Sequence, residues 1–401
     1  MRVLFTTWAW PSHLYAMVPL AWACRAAGHE VLVASQPGLL DEIVRTGLPA
    51  AAVGQDVDAV EMVRGYVLPS ETAGDGDGKE PRLGHAPRTG KGPRALQMFL
   101  AHAESMVDDL VALTRGWRAD VVVFEPTALA GPIAAAAAGV PAVRHLYGVD
   151  LMLRARPILP DLLADLAERH GVTEFDPFGV TTVDPAPPGL RVPGADYPRL
   201  SMQYVPFNGP GVLPRPLPDS GGRPRICVTW GYTMAKLAPS RFLAGQVVQA
   251  LHKADLDAQI VLAVSSRQQE MLPPLPDDVH VAVDTPLNLL LPRCDLVVTH
   301  GGAGTVLTSL RNGLPLLLIP QLPDHAGHAA RVAAAGAGEL LPRDDATPER
   351  IAEQVATLLG ERGDAVRDAA RELQCQIREQ PTPAAVAEEL ASLVQSATTT
   401  H

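Results

Sequence analysis

The chain has 401 residues, of which 47% are hydrophobic, and its 33 basic and 44 acidic side chains give a formal net charge of −11. This length and apolar content exclude a largely disordered chain and favour two globular domains, or three, at about 150 residues each. The acidic balance argues against a surface for nucleic acid or for anionic membranes.

The cysteines and the apolar runs indicate a reducing, membrane-free environment. The four cysteines lie far apart without CxxC spacing, mostly in apolar runs, so they are expected to be reduced, buried thiols: Cys24, Cys227, Cys294 and Cys375. The first residues begin a strand and carry no secretory signal pattern. The small-residue run at 134–140 is far shorter than the ~20 apolar residues of a membrane helix. The sequence therefore predicts a cytoplasmic protein.

The first half of the chain alternates β-branched runs with alanine- and leucine-rich stretches, the pattern of βαβ units around a parallel sheet. Its predicted elements are a strand at 2–7, a helix at Pro19–Ala27, a strand at 30–34, a strand at 120–124, a helix at 128–138 and a strand at 140–145. Gly28 stands where a helix C-cap glycine belongs, so the first strand, helix and strand are punctuated by the sequence itself.

Residues 72–93 interrupt this pattern with six glycines, three prolines and little apolar content. A surface insertion is the first interpretation, because such segments are tolerated on protein surfaces. A lid over an acceptor site is the alternative, since the segment belongs to the first half of the chain.

A second block of βαβ units follows a proline- and glycine-dense stretch that begins after Tyr204 and ends at Pro224. This stretch predicts a linker at 206–224 between a domain at 1–205 and a domain at 225–375. The second block has predicted strands at 225–229, 259–264, 280–283, 295–299 and 316–319. Neither half contains GxGxxG or GxxxxGK[ST], so a dinucleotide-dependent dehydrogenase and a P-loop nucleotidase are both disfavoured.

The sharpest local signal is His300-Gly-Gly-Ala-Gly-Thr305, between the strand at 295–299 and a predicted helix that ends near Asn312 with Gly313 as its cap. Glycines at such a turn let the backbone approach a ligand, and the helix N-terminus attracts anions. A diphosphate is the expected ligand. A tight turn capped by Thr305 is the purely structural alternative.

The turn after the predicted strand at 316–319 also lies at the carboxyl end of a strand, and it carries polar residues. Gln321 and Asp324 follow the strand at 316–319, where open α/β sheets bind ligands. His325 and His328 have the spacing of metal ligands, but no further ligand follows at a convincing distance, so a solvated helix start is the preferred interpretation.

The loop after the first strand contains a candidate base. His13 is expected just before a helix, where a group that titrates near physiological pH can transfer a proton. Glu125 ends the strand at 120–124 within reach of His13 and can orient it. A structural histidine is the alternative. Trp8, Trp10 and Tyr15 can form a wall for a flat aromatic acceptor, or pack in the core.

Six ordered segments carry a resemblance to a known family: Ser12-His13, Met17-Val-Pro-Leu-Ala-Trp22, Ala26-Ala-Gly-His-Glu-Val31, Glu125-Pro-Thr127, the linker segment 204–211 and His300–Thr305. Together they resemble the GT-B glycosyltransferases of natural-product biosynthesis, and most of all the bacterial branch that attaches deoxysugars to aromatic polyketide and macrolide antibiotics. The resemblance spans essentially the whole chain outside the glycine-rich segment.

The resemblance implies an α/β fold of two Rossmann-like domains that face each other across a cleft, with a C-terminal helix at 376–401 that returns toward the first domain. It also implies an inverting, metal-independent transfer of a deoxysugar from a dTDP-sugar to a polyketide-type aglycone. The first domain would hold the hydrophobic acceptor and the second the nucleotide sugar. No cofactor is implied beyond that co-substrate, and a homodimer is left open.

The resemblance assigns a role to each candidate residue. His13 would be the base, steadied by Glu125. The remaining contacts would be made to the diphosphate by His300, Gly301, Gly302, Ala303, Gly304, Thr305 and Thr233, to the sugar by Gln321, Asp324 and His325, to the nucleobase by Trp230, Val283 and Leu287, and to the acceptor by Trp8, Trp10 and Tyr15.

Three positions depart from the family pattern. Gly231 is followed by Tyr232 where a small hydroxyl residue is common, which leaves the phosphate contact of Thr233 open. His325 stands where glutamine is frequent, and the usual tryptophan near Thr285 is missing. The sequence therefore does not identify the sugar or the base.

Other functions stay open at this stage. A homologue without catalytic activity could assist a true transferase, although His13, Glu125 and His300 are all present. An epimerase or hydrolase of the same architecture is a second alternative. A metal-dependent transferase would have to use the acidic pairs at 56 and 58, 75 and 77, or 255 and 257, which are better explained as solvated charges because none ends a strand.

Overall fold

The structure of the chain is a computed structural model that describes residues 1–62, 94–212, 217, 219–231, 234–235 and 239–399. The glycine-rich segment predicted at 72–93 lies outside these residues, as do Thr233 and part of the linker predicted at 206–224. The described residues form two parallel sheets with helices packed against them.

The first sheet has seven strands from the N-terminal half of the chain. They are β1 (Arg2–Thr6), β2 (Glu30–Ser35), β3 (Ala50–Ala52), β4 (Val121–Phe124), β5 (Ala142–His145), β6 (Thr181–Asp184) and β7 (Arg199–Ser201). Their spatial order is β3-β2-β1-β4-β5-β6-β7, with parallel neighbours. The order changes direction between β1 and β4, so the carboxyl ends of these two strands flank a crevice.

The second sheet repeats this arrangement with six strands. They are β8 (Arg225–Thr229), β9 (Gln259–Val264), β10 (His280–Val283), β11 (Leu296–Thr299), β12 (Leu316–Leu318) and β13 (Gly338–Leu340). Their order is β10-β9-β8-β11-β12-β13, again with parallel neighbours. The change of direction falls between β8 and β11, directly before the glycine-rich turn that follows Thr299.

The helices cover both sheets. They are α1 (Pro11–Ala26), α2 (Leu40–Arg45), α3 (Arg94–Trp117), α4 (Ala130–Ala138), α5 (Leu159–Glu168), α6 (Ala244–Lys253), α7 (Ser266–Gln269), α8 (Leu287–Leu290), α9 (Ala303–Arg311), α10 (Pro323–Ala334), α11 (Pro348–Leu359), α12 (Asp364–Glu379) and α13 (Pro383–Thr399). Central strands such as β4 and β11 are buried along their whole length, as parallel strands are when helices cover both faces of a sheet.

The start of the first helix was predicted wrongly. The structure begins α1 at Pro11 instead of Pro19, so His13 lies in the first helical turn and not in a loop. Proline fits the first position of a helix because its missing N–H would be unbonded there in any case. Pro19 lies inside α1 and is buried, so it does not mark a boundary. Apart from the C-terminal helix, the other predicted strands and helices agree with the structure to within two residues, while the short strands β3, β6, β7 and β13 were not predicted.

The C-terminal residues connect the two domains. The predicted single helix at 376–401 is instead the end of α12 followed by α13, separated near Pro381. α12 packs against α9 of the second domain, and α13 packs against α1 of the first domain. Val386 and Leu390 of α13 are buried in the same apolar cluster as Leu14 of α1. This burial ties the end of the chain to the first domain.

The structure bears on two expectations from the sequence, one about the burial of the cysteines and one about membrane-spanning helices. Cys24, Cys227 and Cys294 are buried, free thiols, but Cys375 is exposed, which corrects the expectation that all four are buried. Cys375 lies on α12, a helix with a strongly polar outer face. Among the described residues, no helix combines the length and the apolarity that a membrane crossing requires.

Candidate active site

A cleft of about 960 Å³ lies between the carboxyl ends of the two sheets. Its first-domain wall includes Trp8, His13 and Tyr147, and its second-domain wall includes His300 and Asp324. The structure thus brings the predicted base and the predicted diphosphate turn to opposite walls of one cavity. Loops that follow parallel strands build both walls, as expected for an open α/β sheet.

His13 and Glu125 form a pair at the bottom of the first-domain wall. The Nδ1 atom of His13 lies 3.2 Å from Oε2 of Glu125, which has no exposed side-chain surface, whereas 12% of the His13 side chain is exposed. A carboxylate beside Nδ1 favours the tautomer with its proton there, so Nε2 is left as the proton acceptor. The pair that the sequence predicted is therefore assembled in contact.

A second layer of hydrogen bonds fixes the carboxylate. Thr127 donates its backbone N–H (2.9 Å) and its hydroxyl (2.8 Å) to Glu125. Trp8 donates its indole N–H to the Thr127 hydroxyl over 2.8 Å. Since that hydroxyl accepts from Trp8 and donates to Glu125, its proton is committed to the carboxylate. The motif Glu125-Pro-Thr127 did not indicate this role of Thr127. Trp8, for which an acceptor wall and core packing were both left open, is buried in the apolar core of the first domain and also lines the cleft.

The acceptor wall is broader than predicted. Trp8 stacks on Trp10 with ring centroids 5.0 Å apart, and both rings line the cleft. Tyr15 lines it too, and its hydroxyl donates to Glu42. Sequence reasoning missed further apolar lining residues from other segments: Val57, Met98, Phe99, Met152 and Leu153.

The glycine-rich turn follows β11 and leads into α9. Gly301 has φ +91°, a left-handed conformation that favours glycine, and Gly302 is the N-cap of α9. No side chain caps the helix, so its first N–H groups are available to a ligand. Gly302, Ala303, Gly304 and Thr305 all line the cleft. This is the geometry of an anion site.

His300 is wedged between glycines. A Cβ on Gly302 would lie 2.7 Å from His300 Nε2, and a Cβ on Gly231 would lie 2.8 Å from Cε1 of the same ring. The ring is buried, and Nδ1 lies 3.2 Å from the Thr299 hydroxyl. Burial and the neighbouring His325 and His328 lower the pKa of His300 well below its usual value, so the imidazole is neutral in the unliganded protein.

The two histidines at the helix start after β12 are not solvated, which corrects the sequence interpretation, although Pro323, Asp324 and Ala326 beside them are exposed. His325 and His328 are both buried, and burial lowers the pKa of each, to about 4 for His328. The His325 ring meets His300 edge-on at 4.5 Å, and Nδ1 of His328 lies 3.2 Å from the carbonyl oxygen of Gly301. Both histidines therefore shape the glycine-rich turn. Among the described residues, no cluster of metal-ligating side chains includes them.

The residues predicted to bind the sugar have different positions. Asp324 faces the cleft at the start of α10. Desolvation acts to raise the pKa of Asp324, but the neighbouring His325 and His328 and the backbone N–H groups outweigh it and keep the pKa below its usual value. Gln321 is buried outside the cleft lining, where its amide donates to the carbonyl of Ile319. Only Asp324 and His325 of this group line the cavity.

The predicted nucleobase residues also separate. Leu287 lines the cleft, next to Thr285, while Val283 ends the neighbouring strand β10 outside the cavity lining. Trp230 has no exposed surface, and its indole N–H donates to the carbonyl of Arg241, so its ring belongs to the core.

Two polar residues that line this end of the cleft were not indicated by any pattern in the sequence. Ser265 and Gln268 form a capping box at the start of α7, and the Gln268 amide also donates to the carbonyl of Gly231.

One acidic pair considered as metal ligands has structural partners, and the pair at 255 and 257 is exposed. Asp56 accepts the N–H of Gly38 over 2.8 Å, and Asp58 accepts the N–H of Glu61 over 2.9 Å. The pair at 75 and 77 lies outside the described residues.

Comparison with known families gives two matches that together span most of the chain. Residues 22–231 match the family described as erythromycin biosynthesis protein CIII-like, N-terminal domain. Residues 247–393 match the corresponding C-terminal domain.

Named relatives and solved structures resemble the chain over nearly its full length. It is 35% identical to the 10-deoxymethynolide desosaminyltransferase of Streptomyces venezuelae, over 98% of this chain and 97% of that protein. It is 37% identical to the aklavinone 7-beta-L-rhodosaminyltransferase of Streptomyces galilaeus, over 96% and 94%. Glycosyltransferase VinC, solved in complex with dTDP, superposes with a TM-score of 0.79 at 34% identity, over 99% of this chain and 100% of that one. The predicted GT-B fold is confirmed by this neighbour.

Proposed function

Since the chain belongs to the erythromycin biosynthesis protein CIII-like family of glycosyltransferases, we propose that it transfers a deoxysugar from a dTDP-sugar to a polyketide-type antibiotic aglycone. The relatives named above act on 10-deoxymethynolide and on aklavinone, and VinC holds dTDP. The apolar wall around Trp8, Trp10 and Phe99 suits a hydrophobic aglycone of this kind.

The base chemistry follows from the His13 pair. With Nδ1 held by Glu125 at 3.2 Å, Nε2 of His13 takes the proton of the acceptor hydroxyl as its oxygen attacks the anomeric carbon of the sugar. The bond from that carbon to the diphosphate oxygen breaks, and its electron pair leaves with dTDP. The buried carboxylate stabilises the imidazolium that forms. Attack from the face opposite the leaving group inverts the anomeric centre.

The donor half of the reaction rests on the glycine-rich turn. We propose that the N–H groups at the start of α9 and the neutral imidazole of His300 bind the diphosphate and accommodate the charge that builds on it. Asp324, at the start of α10, faces the same space and is placed to accept hydrogen bonds from sugar hydroxyls. Fixed backbone donors supply this stabilisation, so the proposed reaction uses no metal ion.

The observation that carries the proposal is the contact between His13 and a fully buried carboxylate, on the wall opposite an open helix N-terminus. Calorimetry with dTDP and UDP, together with a transfer assay on 10-deoxymethynolide and aklavinone, tests it. The variant His13→Ala is expected to bind dTDP as the wild type does and to lose transfer by about 10²- to 10⁴-fold.

The half-exposed His252 provides the matched control, since His252→Ala removes a histidine far from the cleft lining. Full transfer by His13→Ala would show that the base is assigned wrongly. Failure of the wild-type protein to bind dTDP or UDP would instead contradict the catalytic proposal and favour an auxiliary protein. Release of free sugar without acceptor would favour a hydrolase.

A further inference from the structure

Tyr147 is an aromatic residue of the cleft that sequence reasoning did not single out. It lies in the segment that follows β5, and its ring stacks on the imidazole of His13 with centroids 4.1 Å apart and planes 16° from parallel. Trp8 meets the same imidazole edge-on at 5.4 Å. With Glu125 at Nδ1, the imidazole is therefore held by three different groups, and its cleft side remains for the acceptor.

The segment that carries Tyr147 is anchored by a buried ion pair. Arg144, in β5, and Asp150 are both buried, and Nη2 of Arg144 lies 2.8 Å from Oδ2 of Asp150. The Tyr197 hydroxyl donates to the same carboxylate oxygen over 2.8 Å, and the Arg144 guanidinium lies 3.4 Å from the centroid of the Phe178 ring. A buried ion pair with these additional partners resists displacement, because either partner alone would be left as an uncompensated charge. The segment between the two charges is thus fixed at both ends.

The residue after Tyr147 touches the other domain. A Cβ on Gly148 would lie 2.8 Å from Cβ of Ala303 and 3.1 Å from Nε2 of His328. Ala303 is the first residue of α9, and His328 bonds the carbonyl of Gly301. Gly148 therefore sits directly against the turn proposed to bind the diphosphate, and adjacent residues of one anchored segment contact the base and the donor site.

We propose that Tyr147 is a positioning residue for the base, and that the segment 145–150 aligns His13 when Gly148 is seated against the glycine-rich turn. This inference rests on the proposed function. The phenol is suited to the role because burial and the carboxylates of Glu125, Asp324 and Asp150 raise its pKa well above its usual value, so the ring stacks as a neutral group. Through this segment, the contact between the two domains at Gly148 determines the orientation of the His13 imidazole.

Two substitutions at position 147 separate the aromatic face from the hydroxyl. Tyr147→Phe keeps the stacked ring, and Tyr147→Leu replaces it with a smaller aliphatic side chain. We expect the phenylalanine variant to keep nearly the wild-type kcat, and the leucine variant to lose about tenfold to hundredfold in kcat, the range expected when a reacting group is misplaced by about 1 Å. The Kd for dTDP is expected to stay the same in both, because the nucleotide is bound by the other domain.

A direct reading of the stack is independent of turnover. In protein labelled with ¹³C at histidine Cε1, the His13 signal is identified by its loss in His13→Ala. The ring current of Tyr147 is expected to shift this signal in the wild type and in Tyr147→Phe, and the shift is expected to disappear in Tyr147→Leu. An unmoved His13 signal, or a wild-type kcat in Tyr147→Leu, would overturn the proposal. If His13→Ala still transferred sugar, the proposed base would fail instead, so the two failures are distinguishable.

The contact at the second domain has its own pair of variants. Gly148→Ala places a methyl group against Ala303, whereas Gly116→Ala adds a methyl group to α3 where no atom lies within 4 Å. We expect Gly148→Ala to lower kcat, measured at saturating dTDP-sugar, about tenfold or more, and Gly116→Ala to leave both kcat and the Kd for dTDP unchanged. Equal kcat values for the two variants would show that the contact of Gly148 with the second domain does not influence His13.

Discussion

The two walls of the cleft are built in different ways. On the first-domain wall, the proposed base is held by a series of side-chain contacts: Trp8 donates to Thr127, Thr127 donates to Glu125, and Glu125 contacts His13. On the second-domain wall, the proposed diphosphate site is built from the backbone, with open N–H groups at the start of α9 and glycines that leave room for His300.

This difference decides which substitutions matter on each wall. A side-chain relay is sensitive to the loss of one charge or one hydroxyl. A backbone site is indifferent to most side-chain losses but sensitive to added volume where glycine is required. The proton-transfer step should therefore be impaired by isosteric changes of a side chain, and donor binding by a single methyl group at a crowded glycine.

The largest effect is expected for Glu125→Gln. The amide removes the buried charge and can donate to Nδ1 of His13, which favours the tautomer whose Nε2 already carries a proton. We expect kcat to fall by about 10³-fold or more, with an unchanged Kd for dTDP. Glu30→Gln, at a largely exposed surface ion pair with Arg2, is the control and should behave as the wild type. A small loss in Glu125→Gln would mean that His13 does not depend on the carboxylate.

The second effect concerns Gly302→Ala on the donor wall. Its new methyl group would lie 2.7 Å from His300 Nε2, and a Cβ on Gly231 would be almost as close to the same ring, at 2.8 Å from Cε1, so the imidazole is already tightly packed. Overpacking of this kind costs about 1–3 kcal/mol, so the Kd for dTDP should rise roughly tenfold to hundredfold. Gly304→Ala adds its methyl group to open space in the same helical turn and should weaken dTDP much less. Equal losses of dTDP affinity in the two variants would contradict the proposal that the close packing of Gly302 on His300 controls dTDP binding.

The two walls also differ in how far the sequence predicted them. The glycine-rich turn at His300–Thr305 could be located from the sequence because strand, turn and helix are contiguous there, and the local pattern determines the geometry. His13 follows β1 and Glu125 follows β4. Because these two strands are neighbours in the first sheet, the two residues could be paired from the sequence. Tyr147 offered no comparable signal, because its contact with His13 joins segments that are distant in sequence.

The wrong predictions have a common physical origin in packing between segments. His325 and His328 look like a solvated helix start in the sequence, but His328 packs under the glycine-rich turn and near Gly148 of the other domain. Trp230 follows a strand at the cleft, yet its ring turns into the core and bonds the carbonyl of Arg241. Side-chain direction and burial at such positions depend on partners that a local pattern does not contain.

Buried neutral histidines occur in both domains, and they predict how stability responds to pH. Burial lowers the pKa of His102 and His145 in the first domain and of His328 in the second from 6.5 to about 4. The unfolded chain therefore binds protons between pH 6.5 and 4 that the folded chain does not. The free energy of unfolding is highest above pH 6.5 and should fall by about 1.4 kcal/mol per pH unit for each such histidine as the pH drops toward 4.

Urea unfolding of the wild type at several values between pH 7.5 and 5 measures this slope. His102→Gln removes one titrating group while its amide can still donate to Gln36, the partner of His102. Its slope should be shallower than that of the wild type, whereas His252→Gln at a half-exposed site should not change it. A slope unaffected by His102→Gln would show that His102 is protonated, or accessible, in the folded protein.

The smallest expected effect is that of a chelator, and it tests the backbone wall most directly. If the N–H groups of α9 and the His300 imidazole accommodate the charge on the leaving diphosphate, no step of the reaction requires a metal cation. EDTA should then leave kcat unchanged, and added Mg²⁺ should not raise it, while Gly302→Ala should remain impaired at every Mg²⁺ concentration. Loss of transfer with EDTA and its recovery with Mg²⁺ would mean that backbone donors alone do not meet the charge, and the asymmetry between a side-chain wall and a backbone wall would no longer hold.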